Sequence, residues 1–310
     1  MEKIKHVFII NPNAGKNNKT KIEEFEKQIK EIFREKKFEN DNYEIYVTIS
    51  KKDATEYVKI MCHNKTEKIN FYACGGDGTF NEVVNGVIGF DDVSVAIIPM
   101  GSGNDFVRNF AEKNDFLNVK NQLGCSTEQI DILKINQIYC ANLCNIGFDA
   151  KVSTKADKFK KFPFIPGNLA YSLSIFYCIF NNLYTTLAIK IDDKTEFYGE
   201  YLLCVIGNGR FYGGGYNAAP LAKVNDGYIE VCLIKKISRL DLIKLFGLYK
   251  KGAHLNDERI KDYVIYTKCK KITLKSDTTF EICIDGEVFK DTTVSITIEE
   301  KKLSFLNPVI

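Results

Sequence analysis

The sequence has no surplus of basic side chains, with Lys+Arg 43 against Asp+Glu 40 and a net charge of +3. Coating a phosphate backbone calls for a far larger basic excess, so nucleic acid is not an expected partner. Paired cysteines of the CxxC kind are also missing. The 10 Cys are scattered singly and read as reduced core thiols of the cytosol, not as a secreted disulfide framework. No apolar leader opens the chain, because Met1 to His6 runs straight into a short strand-like segment; the protein is expected to stay where it is made. One stretch, Phe162 to Ile189, carries no charge and is long enough to span a bilayer. Pro163, Pro166, Gly167, Asn168, Asn181 and Asn182 interrupt it and leave a short aromatic helix over Leu169 to Phe180, read as buried or interfacial. Internal repeats and low-complexity linkers are absent too.

What is present is enough apolar side chain to fold. The chain has 310 residues, 45% hydrophobic and 27% charged, a length that fits two domains of about 150 residues each. Through residue 110 short apolar runs alternate with amphipathic ones. His6 to Ile10 predicts a strand, and Ile22, Phe25, Ile29, Ile32 and Phe33 follow at helical spacing. Tyr43 to Ile49 predicts a second strand, and Asp53 with Glu56 resembles a capping box opening a second helix. Ile69 to Cys74, Thr79 to Ile88, Val93 to Ile98 and Ser102 to Phe110 repeat the theme. Strand and helix in alternation predict a parallel sheet with helices on both faces.

After Asp131 the period changes. Ile138 to Leu143, Leu187 to Ile191, Tyr201 to Gly207, Tyr228 to Ile234, Lys271 to Lys275 and Phe280 to Ile284 read as strands, with helical insertions only near Leu169 to Phe180 and Ser238 to Lys250. That predicts a mainly antiparallel β domain over 131–299 after an α/β domain over 1–130, with 300–310 able to close either one.

Three loops follow predicted strands in the first half. In an open parallel sheet such loops converge on the ligand crevice. Asn11-Pro12-Asn13-Ala14-Gly15-Lys16 lacks the Walker spacing and, read alone, is equally a turn. Gly75-Gly76-Asp77-Gly78-Thr79-Phe80-Asn81-Glu82 runs from strand into helix; its glycines let backbone N–H groups approach phosphate, and the helix start adds a positive dipole. The dinucleotide pattern GxGxxG is not met, since Asn81 stands at the last glycine. A carboxylate at Asp77 would repel a phosphate unless a divalent cation lies between, which implies a nucleotide with Mg²⁺. In Pro99-Met100-Gly101-Ser102-Gly103-Asn104-Asp105-Phe106, Ser102 offers a helix cap or a phosphate ligand, and Asp105 a second acid.

At these residues the chain resembles the diacylglycerol kinase catalytic family, in its bacterial lipid kinase branch, which is also similar to sphingosine and ceramide kinases. An NPxxG turn, a GGDGTxNEV loop and a GTGND-like loop occur in order. Ala218-Ala219-Pro220, Asp226-Gly227-Tyr228 and Ile284-Asp285-Gly286-Glu287 continue the likeness, while 151–200 carries no matching motif. The resemblance implies a nucleotide-binding α/β domain, a β-sandwich lipid-substrate domain and an active site in the cleft between them. It implies ATP at Asn11 to Gly15, Thr48, Gly76 to Glu82 and Ser102, which keeps the hydroxyl of a more usual Thr. It implies Mg²⁺ at Lys223, Asp226 and Tyr228, with backbone carbonyls at the first and third, and a proton acceptor at Glu287 beside Asp285.

The chemistry of these last two fits that role, because an alcohol becomes a nucleophile only when a base takes its proton as the bond forms. Two residues apart on a regular strand, they would share a face; a hairpin turn at Asp285-Gly286 is the plain alternative. Lys155, Lys158, Lys160 and Lys161 alternate with Phe159, Phe162 and Phe164, which suits an anionic membrane surface or a solvated loop. The expectation is therefore a cytoplasmic lipid kinase held peripherally at the inner face of the membrane, with a homodimer left open. Rivals are a NAD kinase, a sphingoid or glycerophospholipid kinase, and a non-catalytic lipid sensor. His6, His63 and His254 lie near no nucleophile pattern, so a hydrolase triad is unsupported. Gly213-Gly214-Gly215 reads as a flexible loop.

Overall fold

The computed structural model describes residues 3–15, 19–35, 42–110, 113–148, 150–152 and 184–308. The aromatic segment Leu169 to Phe180, the Lys–Phe run from Lys155 to Phe164, and Lys16 lie outside the described residues. The chain divides into two compact units, Met1–Ile132 with Glu300–Ile310, and Leu133–Glu299.

In the first unit β1 (Ile4–Ile10), β2 (Asn42–Val47), β3 (Lys68–Gly75) and β4 (Val93–Pro99) form a parallel sheet in the order β2-β1-β3-β4. The end of the chain's last strand adds to β4 in parallel, pairing Phe305 with Val95, so residues after Glu300 complete this unit. Side chains alternate across such strands. Phe8, Ile10, Tyr72, Cys74, Ala96 and Ile98 meet Phe25, Ile29 and Ile32 of α1 (Lys19–Ile32) and Val119 of α5 (Val119–Leu123) on one face. On the other face α3 (Asp77–Val87) packs on β3 and β4, with α2 (Asp53–His63) against α3. These two helices cross closely at Gly86, where a Cβ would stand 2.7 Å from the Val58 side chain. The short α4 (Lys113–Leu117) contributes Phe116 to an aromatic cluster with Phe106, Phe110 and Phe305.

Two local expectations need correction here. Asp53 does not cap α2: the cap position is Lys52 at φ 68, and the Asp53 carboxylate accepts from Ile49 N–H (2.8 Å) and Tyr46 O–H (3.0 Å) instead. The helix expected over Ser102 to Phe110 shrinks to a 3₁₀ turn, Phe106–Asn109, preceded by Asp105 rather than capped by Ser102. Asn104 at φ 50 holds the preceding backbone in a loop through two bonds to Gly101 (2.5 and 3.0 Å), so regular helix cannot start at Ser102.

In the second unit β7 (Leu143–Gly147), β8 (Thr185–Ile191), β9 (Thr195–Gly207), β12 (Ile229–Lys235), β13 (Val264–Cys269), β14 (Lys271–Ile284) and β15 (Glu287–Leu306) pair antiparallel. Its middle strands are buried on both faces. Ile229, Val231 and Leu233 enter one core with Cys204 and Ile206, while Cys232 and Ile234 enter the other with Leu203 and Val205. This explains why their sequences are unbroken apolar runs and not polar–apolar alternations. The second core is closed by α6 (Arg239–Lys251), capped by Ser238 at Asp241 N–H and ended by Gly252 at φ 72.

The run Ile138 to Leu143 is two strands, β6 (Ile138–Cys140), paired with β5 (Thr127–Ile135), and β7, with the break at Asn142. The Asn142 carbonyl accepts Asn208 and Gly209 N–H, both at 2.8 Å, and its amide donates to the Phe211 carbonyl (2.7 Å), which pulls it out of the ladder. Gly213 to Gly215, all at positive φ, form the tight connection between β10 (Phe211–Tyr212) and β11 (Tyr216–Asn217).

His254 is fully buried, with Nε2 3.6 Å from Cys232 Sγ and its ring 4.9 Å from Tyr249. Loss of water lowers its pKa to about 4, outweighing a backbone hydrogen bond at Ala218 that favours the charged form. An unfolded histidine titrates near about 6.5, so as pH falls the unfolded chain takes the proton first. The His254 contribution is complete above pH 6.5 and is lost on the way down to about 4, some ~3 kcal/mol in all. Urea unfolding at a series of pH values should show a steeper acid loss in the wild type than in His254→Gln; parallel profiles would contradict the assignment.

Candidate functional site

The loops that follow β1, β2, β3 and β4 meet at the carboxyl end of the first unit's sheet. Asn11 leaves β1 bonded through its N–H to the Cys74 carbonyl (3.0 Å), and its Nδ2 donates to Thr79 Oγ1 (3.0 Å). Its Oδ1 accepts Asn13 N–H (2.9 Å) and its carbonyl accepts Ala14 N–H (3.2 Å), which curls the turn past half-buried Pro12. Gly15 has φ 63 and runs so close to the next loop that a Cβ would sit 2.4 Å from the Met100 carbonyl oxygen. Thr48 is buried against the end of β1 through Ile10 O, accepting its N–H at 2.9 Å. The Gly75 carbonyl accepts the N–H groups of both Met100 and Gly101, and a Cβ on Gly101 would lie 2.4 Å from Gly76 Cα. Only hydrogen at Gly101 permits this backbone crossing, whereas a Cβ on Gly76 would stand 3.4 Å from Gly101 Cα.

Asp77 is the joint between these loops. Its Oδ1 accepts the N–H groups of Asp105 (2.7 Å) and Phe106 (3.0 Å), satisfying donors that open the 3₁₀ turn. Burial raises the Asp77 pKa above the ordinary carboxylate value, against these backbone bonds, which lower it. Asp105 is 5% exposed and lies 3.4 Å from the Arg108 guanidinium. Both acids therefore have internal partners before any cation is considered.

The first turn of α3 has no side-chain cap. Gly78 there is exposed and faces open space, with no atom within 4 Å of where a Cβ would be. An uncapped helix start beside an open glycine suits phosphate oxygens, so the residues present fit the triphosphate of a nucleotide. Ser102, in the loop after β4, is exposed. Phe80 turns instead into the core, 4.6 Å from Phe106. Asn81 accepts from Asn85 Nδ2, and Glu82 docks α2 on α3 by accepting Lys52 N–H (2.9 Å) and Thr55 O–H (2.8 Å).

The other expected residues belong to the second unit. Ile284 pairs with Glu287, so Asp285 (φ 43) and Gly286 (φ 91) are a two-residue hairpin turn with both residues left-handed. The regular-strand argument for Asp285 and Glu287 thus fails, and the turn itself sets their separation. Asp285 sits over β7, its N–H 3.4 Å from Leu143 O and its Oδ1 3.5 Å from Leu143 N. It also bonds the Cys140 thiol, which burial first and this carboxylate next hold far above its ordinary pKa. Glu287 is half-buried at the start of β15.

Lys223 and Tyr228 are exposed, and Asp226 Oδ1 accepts Tyr228 N–H (3.1 Å) while its Oδ2 meets Lys268 Nζ at 2.7 Å. Asp226 is the one carboxylate here and the Lys268 ammonium already stands on its Oδ2, so with that charge in place the donor set does not fit a resident divalent cation. Among the described residues no group of three or more His, Cys, Asp or Glu is placed to hold a metal. Lys268 and its second partner Glu230 escaped the sequence reading, and Asn104, named there within its loop, was given no role. Asn104 lies inside the glycine loop, a visible signal; the Lys268 contact joins positions 42 apart and has none.

The diacylglycerol kinase catalytic domain model matches residues 5–135, and the YegS C-terminal NAD kinase beta sandwich-like domain model matches 142–307. A diacylglycerol kinase of Staphylococcus aureus (strain MRSA252) is 32% identical over 285 residues, 90% of this chain and 85% of the relative. That of Bacillus subtilis (strain 168) is 29% identical, over 90% and 88%. Among solved structures, a diacylglycerol kinase from Bacillus anthracis str. Sterne superposes with TM-score 0.71 at 21% identity, covering 99% of this chain and 98% of that one. An NAD kinase from Archaeoglobus fulgidus in complex with ATP gives TM-score 0.52 at 10% identity, over 98% and 94%. These two likenesses speak for the fold: an α/β domain of this type followed by an antiparallel β-sandwich.

Asp77→Ala removes the acceptor of two N–H groups and should lower stability to chemical denaturation by about 2–4 kcal/mol. Asp77→Asn, which keeps one carbonyl oxygen, should recover most of it. Equal losses in the two variants would show that the charge matters and the clamp does not.

Proposed function

Since the chain belongs to the diacylglycerol kinase family, we propose that it is an ATP-dependent lipid kinase that phosphorylates the hydroxyl of a diacylglycerol-like lipid. The observation that carries the nucleotide half is the uncapped start of α3 with Gly78 open beside it. Backbone N–H groups of that turn, the Asn11 to Gly15 loop, Thr48 and Ser102 would hold the nucleotide. Gly75, Gly76 and Asp77 keep the loops in place, and Phe80 and Glu82 act through helix packing. Mg²⁺ is assigned to the substrate, entering as the complex with ATP and neutralising its charge.

In the reaction the lipid oxygen forms a bond to the γ-phosphorus while the bond from that phosphorus to the β–γ bridging oxygen breaks. ADP leaves with that electron pair. The hydroxyl proton passes to a carboxylate, assigned to Glu287, with Asp285 fixing the turn that presents it. The product is a phosphatidate-type lipid. Access to the lipid is assigned to the Lys155 to Phe164 run at the inner face of the membrane. No helix among the described residues is long and apolar enough to cross a membrane.

A NAD kinase also carries GGDGT, but the relatives named above at about 30% identity are diacylglycerol kinases. Labelled ATP with Mg²⁺, offered diacylglycerol in mixed micelles or NAD in buffer, separates the readings. Label is expected in lipid; label in NAD alone would overturn the lipid assignment, and none in any acceptor would favour a sensor. Glu287→Gln should lose at least about 10²-fold in kcat while nucleotide affinity stays unchanged. Vesicles containing anionic lipid should bind the protein at low salt and release it as salt rises.

A further inference from the structure

The loop 218–228 leading into β12 is held by side chains of the adjoining edge strand. Glu230 and Lys268 are direct partners across the β12–β13 ladder, so their side chains leave the sheet on one face. Glu230 is 1% exposed, a position where a carboxylate requires a compensating cation. The Lys268 ammonium supplies it at 3.0 Å from Oε1 and reaches Asp226 Oδ2 at 2.7 Å. Asp226 in turn closes the loop around Gly227, at φ 75, by accepting Tyr228 N–H. Two residues before Lys268 on the same face, the Tyr266 hydroxyl accepts Leu221 N–H (3.2 Å). The ammonium groups of Lys268 and Lys270 lie 5.8 and 5.5 Å from the Tyr228 ring.

We propose that the Lys268 ammonium is the resident cation of this loop, bridging Asp226 and Glu230 so that 218–228 is ordered without a divalent metal. A dication bound at Asp226 Oδ2 would face the ammonium at short range in a partly buried place, where like charges repel strongly. Bonding to Asp226 foremost, and then to Glu230, keeps the lysine charged against the desolvation that opposes it. Lys268 is a positioning residue, acting through the loop. The inference is independent of the kinase reading, because its test contains neither nucleotide nor lipid.

The test is thermal melting of the full chain, stripped with EDTA, then given Mg²⁺ alone or Mn²⁺ alone. The wild-type Tm is expected to be the same in all three conditions. Lys268→Ala should melt several degrees lower in EDTA and regain part of the loss with either ion, since Asp226 and Glu230 are left as bare carboxylates around an opened space. Lys268→Arg should keep the wild-type insensitivity. A wild-type Tm that rises with either ion, and stops rising in Asp226→Asn, would overturn the proposal; so would a folded Lys268→Ala that melts and responds like the wild type. If Lys268→Ala does not fold, the wild-type, Lys268→Arg and Asp226→Asn melts decide by the same criterion.

Discussion

One carboxylate oxygen and one glycine crossing organise the carboxyl end of the first unit's sheet. Asp77 Oδ1 gathers the N–H groups of Asp105 and Phe106, while Gly101 passes Gly76 with room for hydrogen only on its own Cα. The two features depend on each other. The clamp fixes the distance between the loops, and that distance is tolerable only without a Cβ on Gly101. An acid placed beside a prospective phosphate site looks self-defeating until its charge is followed to the backbone dipoles that absorb it. With that charge turned inward, the first turn of α3 keeps its outward N–H groups for an anion.

Much of this architecture is legible in the amino-acid order because it rests on local rules. Short continuous apolar runs mark β1, β3 and β4, period-3.6 apolar spacing marks α1, and Asp285-Gly286 between apolar runs marks its hairpin by turn chemistry alone. The glycine loops also announce themselves by composition. Where the reading went astray, a distant partner outbid the local one. Asp53 three residues before Glu56 has the form of a cap, yet the carboxylate finds Tyr46 and the Ile49 amide. Ile138 to Leu143 has the form of one strand, yet the Asn208 and Gly209 amides draw Asn142 aside. Glu82, which the motif offers to a nucleotide, also accepts the amide of Lys52 at the start of α2, a contact 30 residues away that local sequence does not announce.

The two units manage buried acid in different ways, and the difference has chemical meaning. In the first, Asp77 is met by neutral N–H dipoles, which favour the anion without cancelling its charge, and burial still raises its pKa. In the second, Glu230 and Asp226 share a full positive charge on a side chain of the next strand. A lysine differs from a divalent ion in that it is covalently supplied, so its occupancy does not vary with metal concentration; it also offers three directional donors instead of a demand for six oxygen ligands. A loop ordered by such a group folds with its strand, in one cooperative step. Any dependence of the protein's activity on divalent metal would then report on the phosphate-bearing substrate and not on the integrity of the β-sandwich.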